Sequence, residues 1–340
     1  PVSGCHLIDP VRTSGTHVHQ GQPSNGWLPL AVPPLRVRRI GDMTSEFPQP
    51  TDVLRDKAVV ITGSGGGLGR AYALAAAQAG AAVVVNDVDP AAAVDVAAEI
   101  TAAGGRAAAH PADISDWEEA AGLIDRCVAE FGAIDGLVNN AGVFALALPQ
   151  DQRPGPLRRM IDVNIFGTAA CGHHAMRQMV AQGHGVVLNV TSGEQMGKTA
   201  SAGYGATKAA VAALTYSWAV DMAAHRVRVN AISPNAHTGM ATVYQAYLGG
   251  EAGNQNIGVP PEVNGPLAVY LLSELSAHLT GQVVRLNGNE LMVCSHPANV
   301  EPVLRAVEWT VPAIAEAFAG PLRDHLQPVG IHTVRIEALS

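Results

Sequence analysis

The sequence predicts an α/β fold, a doubly wound domain on a parallel sheet of about seven strands. Three observations predict it. Short apolar runs alternate with helical stretches from Lys57 onward. A glycine cluster, Gly63–Gly69, separates the first run from the first helix. The polar and chemically active motifs fall where apolar runs end. Strands alternating with helices of this length imply parallel pairing, with helices on both faces of the sheet.

The elements follow in order. Lys57–Thr62 (KAVVIT) reads as a buried strand and Leu68–Ala79 as the helix after the glycines. Ala82–Asp87 is the next strand and Pro90–Ala103 the next helix. Arg106–His110 and Asp135–Asn139 are strands on either side of helix Asp116–Phe131. A loop at Phe144–Pro156 leads into one long helix ending near Gln182. Strand Gly185–Thr191, helix Ala202–Ala224 and strand Arg228–Ile232 come next. A helix near Pro261–Leu272 and a strand near Gln282–Leu286 complete the set. This is a Rossmann-type order, in which ligands lie off the carboxyl ends of the strands.

The domain thus spans residues 51–290. Residues 1–50 are expected to be a disordered or non-native extension. Pro29, Pro33 and Pro34 break the one apolar stretch that a signal peptide could use. A basic transit peptide and upstream sequence ahead of a start at Met43 are the alternatives. Residues 291–340 are expected to form a C-terminal extension, with helical pieces at Val300–Glu308 and Pro312–Phe318. It would pack on the domain or on a partner subunit.

Composition narrows the function. Apolar residues make up 48% of the chain, enough for a core without metal or disulfide. The formal net charge of −8 argues against a nucleic-acid partner. The four cysteines lack metal-ligand spacing and fit a reduced, cytoplasmic protein. His173-His174 has no second ligand pair beside it, so no metal is expected. No apolar run is long enough to span a membrane.

The first motif is Thr62-Gly63-Ser64-Gly65-Gly66-Gly67-Leu68-Gly69. It leaves a strand and opens a helix, the context that gives such glycines meaning. Gly63 permits the tight turn, Gly67 lets backbone approach a pyrophosphate, and Gly69 lets helix and strand pack closely. The pyrophosphate would meet unpaired N–H groups at a helix N-terminus, and Ser64 and Leu68 are counted with the glycines as cofactor-binding residues. Asp87 ends the second strand, where an acid accepts from the adenosine ribose hydroxyls and repels a 2′-phosphate. NAD is therefore expected rather than NADP, with Asp89 as the competing acid. Asp113-Ile114 would flank the adenine, unless Asp113 caps the next helix instead. Asn139-Asn140-Ala141-Gly142 ends the fourth strand. Its small residues would let backbone near the cofactor, and an amide there can tie adjacent loops.

The chemical centre is Tyr204-Gly205-Ala206-Thr207-Lys208. The i, i+4 spacing places phenol and ammonium on one helix face. A tyrosine of ordinary pKa, about 10, is a poor base at neutral pH. A fixed ammonium favours the phenolate, which can then take an alcohol proton.

These motifs, in this order, resemble the short-chain dehydrogenase/reductase family. Its pattern of TGxxxGxG, NNAG, a helix Asn, a strand-end Ser and YxxxK matches Thr62–Gly69, Asn139–Gly142, Asn164, Ser192, Tyr204 and Lys208. The resemblance implies that Tyr204 is the acid/base and that Ser192 orients the substrate oxygen. Lys208 would also hold the nicotinamide ribose, and Asn164 would hold a water in a proton relay. In many members the serine stands one residue farther from the tyrosine, a spacing that Thr191 occupies here. Ser192 is preferred because Asn189–Ser192 matches the family's strand ending. Asn230–Pro234 looks like the family's strand before the carboxamide site, which puts Pro234 and Thr238 at the nicotinamide.

The implied activity is hydride exchange between NAD(H) and a secondary alcohol or ketone. Thr62–Leu74, Val83–Asp87 and Ser233–Ala236 resemble the dehydrogenase part of peroxisomal-type multifunctional hydroxyacyl-CoA enzymes. Yet Ala236–Val263 has no Lys or Arg for the CoA phosphates, leaving Arg153, Arg158 and Arg159 as substitutes. Met240, Val243, Tyr244, Tyr247 and Leu248 suit an apolar carbonyl or alcohol. The alternative class is a nucleotide-binding scaffold without turnover. The resemblance also implies a homodimer or homotetramer built on helices 156–182 and 202–224.

Overall fold

A computed structural model of the chain describes residues 52–236 and 259–327, with single positions at 239, 243, 247 and 330. The described residues divide after Cys294 into two compact units. The first unit begins with β1 (Ala58–Ile61), α1 (Gly67–Gln78), β2 (Ala82–Val85), α2 (Pro90–Ala102) and β3 (Arg106–Ala109). Next come α3 (Trp117–Phe131), β4 (Gly136–Asn139), α4 (Pro154–Met160), α5 (Thr168–Gln182) and β5 (Gly185–Val190). It ends with α6 (Ala202–Met222), β6 (Val227–Asn235), α7 (Gly265–Leu272), β7 (Val283–Asn287) and β8 (Glu290–Val293).

The eight strands form one sheet in the order β3-β2-β1-β4-β5-β6-β7-β8. β1 to β7 pair in parallel. The eighth strand lies beyond the expected set and pairs antiparallel with β7. It turns through Gly288-Asn289, where Gly288 takes φ 61°. A left-handed first residue is what a two-residue hairpin turn needs.

Alternating strand residues feed two helical layers, as a period of two requires. Val60, Val84, Leu137, Val187 and Val229 pack toward α3, α5 and α6. Val59, Ile61, Val83, Leu188 and Ile232 pack toward α1, α2 and α7. β1 and β2 are unbroken runs of Ala, Val and Ile because both of their faces are covered. Asp116 starts α3 by accepting from the backbone N–H groups of Glu118 and Glu119. Asp89 does the same for α2, ahead of Pro90. A side-chain acceptor at that position is worth about 1 kcal/mol. Gly132 and Gly183 end α3 and α5 in the left-handed conformation.

The long helix expected to end near Gln182 is interrupted. Ile161–Gly167 forms a π-helical segment between α4 and α5. Wider turns of this kind are rare and gather at functional sites. Asn164 sits inside this one.

The second unit contains α8 (Val311–Ala319), capped by the Thr310 hydroxyl. No helix forms over residues 300–308. Pro302 lacks a backbone donor there and disfavours helical geometry at Glu301. Among the described residues, no helix is long and apolar enough to cross a membrane. No cluster of metal-ligating side chains is found among them either.

Candidate active site

The chain runs from β1 to β2 on one side and returns through β4 on the other. Loops leaving the carboxyl ends of β1 and β4 therefore diverge and open a crevice. The glycine turn and Asn139–Gly142 are those two loops.

Gly63 and Gly67 have φ of 60° and 53°, which L side chains rarely adopt. A Cβ on Gly69 would stand 2.1 Å from the Gly63 carbonyl oxygen, so α1 packs on the turn only through glycine. α1 begins with no side-chain cap and no acid in its first turn. Its first N–H groups and positive dipole end thus favour an anion. The glycine cradle and its charge fit a dinucleotide pyrophosphate.

Four side chains brace this turn. Thr62 Oγ1 accepts the N–H groups of Asn140 and Ala141, at 3.0 Å each. Asn140 Nδ2 donates to the carbonyls of Thr62 and Gly63, at 2.9 and 3.0 Å. Asn86 Oδ1 accepts from Gly63 N at 3.4 Å, while its Nδ2 donates to the His110 and Ala112 carbonyls beyond β3. The Asp87 carboxylate, 3% exposed, accepts from Gly65 N and Asp89 N at 3.1 Å each. Ser64 turns inward, its hydroxyl donating to the Ile61 carbonyl at 2.7 Å. The sequence places Thr62 at the head of the glycine motif without assigning it a role, and it does not single out Asn86. Their signal was position, since each is a polar residue directly after a buried strand.

Asp113 does not cap α3, a role that Asp116 fills. Asp113 instead receives Ser115 and Arg159, with Arg159 Nη2 at 3.0 Å. Burial alone would raise its carboxyl. The Ser115 hydrogen bonds and the Arg159 guanidinium outweigh that and hold it below its ordinary value. Ile114 is buried beside Gly167, where an added Cβ would meet its side chain at 2.7 Å. Arg158 pairs with Asp162 at 3.0 Å. Two of the three arginines considered for CoA phosphates are thus already engaged.

α6 carries Tyr204 and Lys208, both buried. Lys208 Nζ lies 5.7 Å from the Tyr204 ring centroid and donates to the Val190 carbonyl at 2.8 Å. Val190 ends β5, so the strand end seats the ammonium. Asn164 Oδ1 accepts Val143 N at 2.8 Å, and Nδ2 donates to Val143 O and Thr207 Oγ1 at 2.9 and 3.0 Å. The Thr207 hydroxyl in turn donates to the Tyr204 carbonyl at 2.8 Å. A Cβ on Gly142 would lie 3.3 Å from Asn164 Oδ1 and 3.4 Å from Lys208 Nζ.

The hydroxyl of Thr191 is buried and donates to the Ile232 carbonyl at 3.1 Å. Ser192 is half-buried, and its Oγ accepts from Glu194 N at 3.2 Å. Pro234 lies in β6, paired with Leu286. Thr238 lies outside the described residues, as do Met240, Tyr244 and Leu248. Val243 is described and packs against the core cluster that includes Phe144 and Tyr204.

A separate cleft of about 450 Å³ opens at the opposite, amino-terminal edge of the sheet. Its Lys57 and His184 both engage Asp135, and Arg228 donates to the carbonyls of Leu271 in the last turn of α7 and of Ser273 just beyond it. These contacts hold the strand starts together.

Residues 57–246 match the family model for short chain dehydrogenases. The chain belongs to the short-chain dehydrogenase/reductase family of oxidoreductases, which use NAD or NADP. It is 36% identical over 244 residues to cis-4-hydroxycyclohexanecarboxylate dehydrogenase of Sinomonas cyclohexanicum, covering 70% of this chain and 97% of that protein. A short chain dehydrogenase structure from Mycobacterium avium matches with a TM-score of 0.70 at 32% identity, over 84% of this chain and 98% of the other. A xylitol dehydrogenase solved with NAD+ matches at 0.65 and 30% identity, over 69% and 99%.

The Asp113–Arg159 pair supplies a pH-dependent prediction. The folded pKa of Asp113 lies below the ordinary 3.8, so the pair stabilises above that value. The contribution is lost as pH falls through the folded value. Both partners are about a third exposed, so Arg159→Ala should cost less than about 1 kcal/mol at neutral pH. Urea unfolding of parent and variant checks this. The gap should close in strong acid, and a gap that stays constant contradicts it.

Proposed function

We propose that the chain interconverts a secondary alcohol and a ketone, with NAD(H) bound on the glycine turn. The buried Tyr204–Lys208 pair, Nζ 5.7 Å from the phenol ring, carries this reading. When bound, the cofactor supplies the hydride acceptor or donor. Tyr204 Oη takes the alcohol proton in oxidation and returns it in reduction. The Lys208 ammonium favours the phenolate by charge, in a site with little water to screen it. Ser192 Oγ hydrogen-bonds the substrate oxygen. Thr191 is the weaker candidate because its hydroxyl bonds the sheet. A Cβ on Gly142 would crowd both Asn164 Oδ1 and Lys208 Nζ, so the glycine lets the backbone pass close to both groups, and Asn164 is proposed to serve a proton relay with Lys208 on that proximity.

NAD is preferred to NADP on the strength of Asp87. Its carboxylate braces the turn from within, and its negative charge still disfavours a 2′-phosphate nearby. The substrate is an apolar alcohol or ketone. Phe144, Leu146 and Leu157 share the apolar cluster around Tyr204. The cyclohexane ring of the hydroxy acid named for the Sinomonas enzyme suits that apolar lining, while its carboxylate lies outside the class. A 3-hydroxyacyl-CoA is less favoured, since Arg158 and Arg159 are paired. A homodimer or homotetramer through the long helices is proposed on the exposure of Ile161, Phe166 and Val220.

Reduction of NAD or NADP followed at 340 nm tests the function. The panel should hold cyclohexanols, 4-hydroxycyclohexanecarboxylates, hydroxysteroids and 3-hydroxyacyl-CoA, with Tyr204→Phe as control. NAD-linked turnover is expected, falling at least about a hundredfold in the variant. Preference for NADP would overturn the role of Asp87. NAD binding with silence across the panel would favour a non-catalytic scaffold. Light scattering should return two or four chains per particle, and a monomer would remove the proposed interface.

A further inference from the structure

The tyrosine ring has a neighbour besides Lys208. Phe144 stands 4.8 Å from Tyr204, centroid to centroid, with the ring planes at 88°. Both rings are buried, at 3% and 6% exposure. A perpendicular aromatic pair is a preferred arrangement, because the positive edge of one ring meets the negative face of the other.

Phe144 is itself held. Asn164 clasps both backbone groups of the preceding Val143. On the other side, Ala147 N donates to the Ala200 carbonyl at 2.9 Å. Ala200 takes φ 59°, a left-handed conformation unusual for a residue with a side chain. Asn164 also bonds Thr207, whose hydroxyl holds the Tyr204 carbonyl. One amide therefore ties the segment carrying Phe144 to the helical turn carrying Tyr204.

We propose that Phe144 is a positioning residue for Tyr204, its ring fixing the phenol's orientation and keeping water from that flank. The inference rests on Tyr204 being the acid/base. Phe144 contacts neither the substrate oxygen nor the hydride path in this role. It narrows the arc through which the phenol oxygen can swing. Proton transfer depends steeply on that geometry, whereas NAD binding at the glycine turn does not.

The test is Phe144→Leu, which keeps apolar bulk and removes the ring, alongside Tyr204→Phe. The expected result is a loss of kcat of about tenfold to a hundredfold. KM and NAD affinity should stay within about threefold. A second readout needs neither substrate nor cofactor. With fluorotyrosine incorporated, the 19F signal that disappears in Tyr204→Phe should shift in Phe144→Leu, as a lost ring neighbour requires. A kcat within threefold of the parent, or an unmoved signal, overturns the proposal. So does a kcat loss matched by equal losses in NAD affinity and melting temperature, which would mark a packing role only. If Phe144→Leu fails to fold, Phe144→Met gives the same comparison. Should Tyr204→Phe retain turnover, the acid/base reading fails and this proposal with it. Should only Phe144→Leu behave as the parent, this proposal alone fails.

Discussion

Two hydrogen bonds into Thr62 Oγ1 and two out of Asn140 Nδ2 join the ends of β1 and β4. The rest of the site depends on this joint. A parallel sheet opens a crevice where its strand order reverses, but an open crevice leaves backbone groups without partners. Here the threonine hydroxyl and the asparagine amide satisfy them. The glycine turn is thereby held in a left-handed shape that few other residues could take. Asp87 and Asn86 complete the brace from β2. The turn is ordered by the protein itself, so the anion it fits need not pay for ordering it.

A second joint connects that crevice to the chemical residues. The π-helical segment at Ile161–Gly167 carries Asn164 between the β4 loop and α6. Its amide makes three hydrogen bonds to groups on those two elements. Buried polar networks of this kind are costly when incomplete and rigid when complete. Lys208 extends the same logic to β5 through the Val190 carbonyl. The β4 loop, the end of β5 and α6 are thus tied together beside Tyr204. The cation beside it and the aromatic ring across from it act on a side chain that has little room to move.

Much of this was legible in the residues. The alternation of apolar runs and helices gave the doubly wound sheet, because a strand covered on both faces must be apolar throughout. Glycines at positive φ gave the turn, because only Gly63 and Gly67 accept that backbone cheaply. The strand β8 was missed, although Asn287-Gly288-Asn289 is a hairpin signal beside a recognised strand. The run that follows, Glu290–Val293, was too short and too exposed to stand out. The π segment was invisible, since the apolar period of a helix hardly changes across one widened turn. The aspartates show where pattern reading stops. Asp87, Asp113 and Asp116 all follow strands or open helices. Only three-dimensional contacts assign the first to the glycine turn, the second to Arg159 and the third to the cap of α3. In the sequence Phe144 reads as the start of a loop, because no local spacing relates it to Tyr204.

The proposed reaction is direct hydride exchange between substrate carbon and nicotinamide. A secondary alcohol deuterated at its carbinol carbon tests that claim most directly, with the reduced cofactor examined by proton NMR. One deuterium at C4 of the nicotinamide, on a single face, is the predicted result. Reduced cofactor carrying solvent hydrogen at C4, or no label transfer from any secondary alcohol that binds, would contradict it.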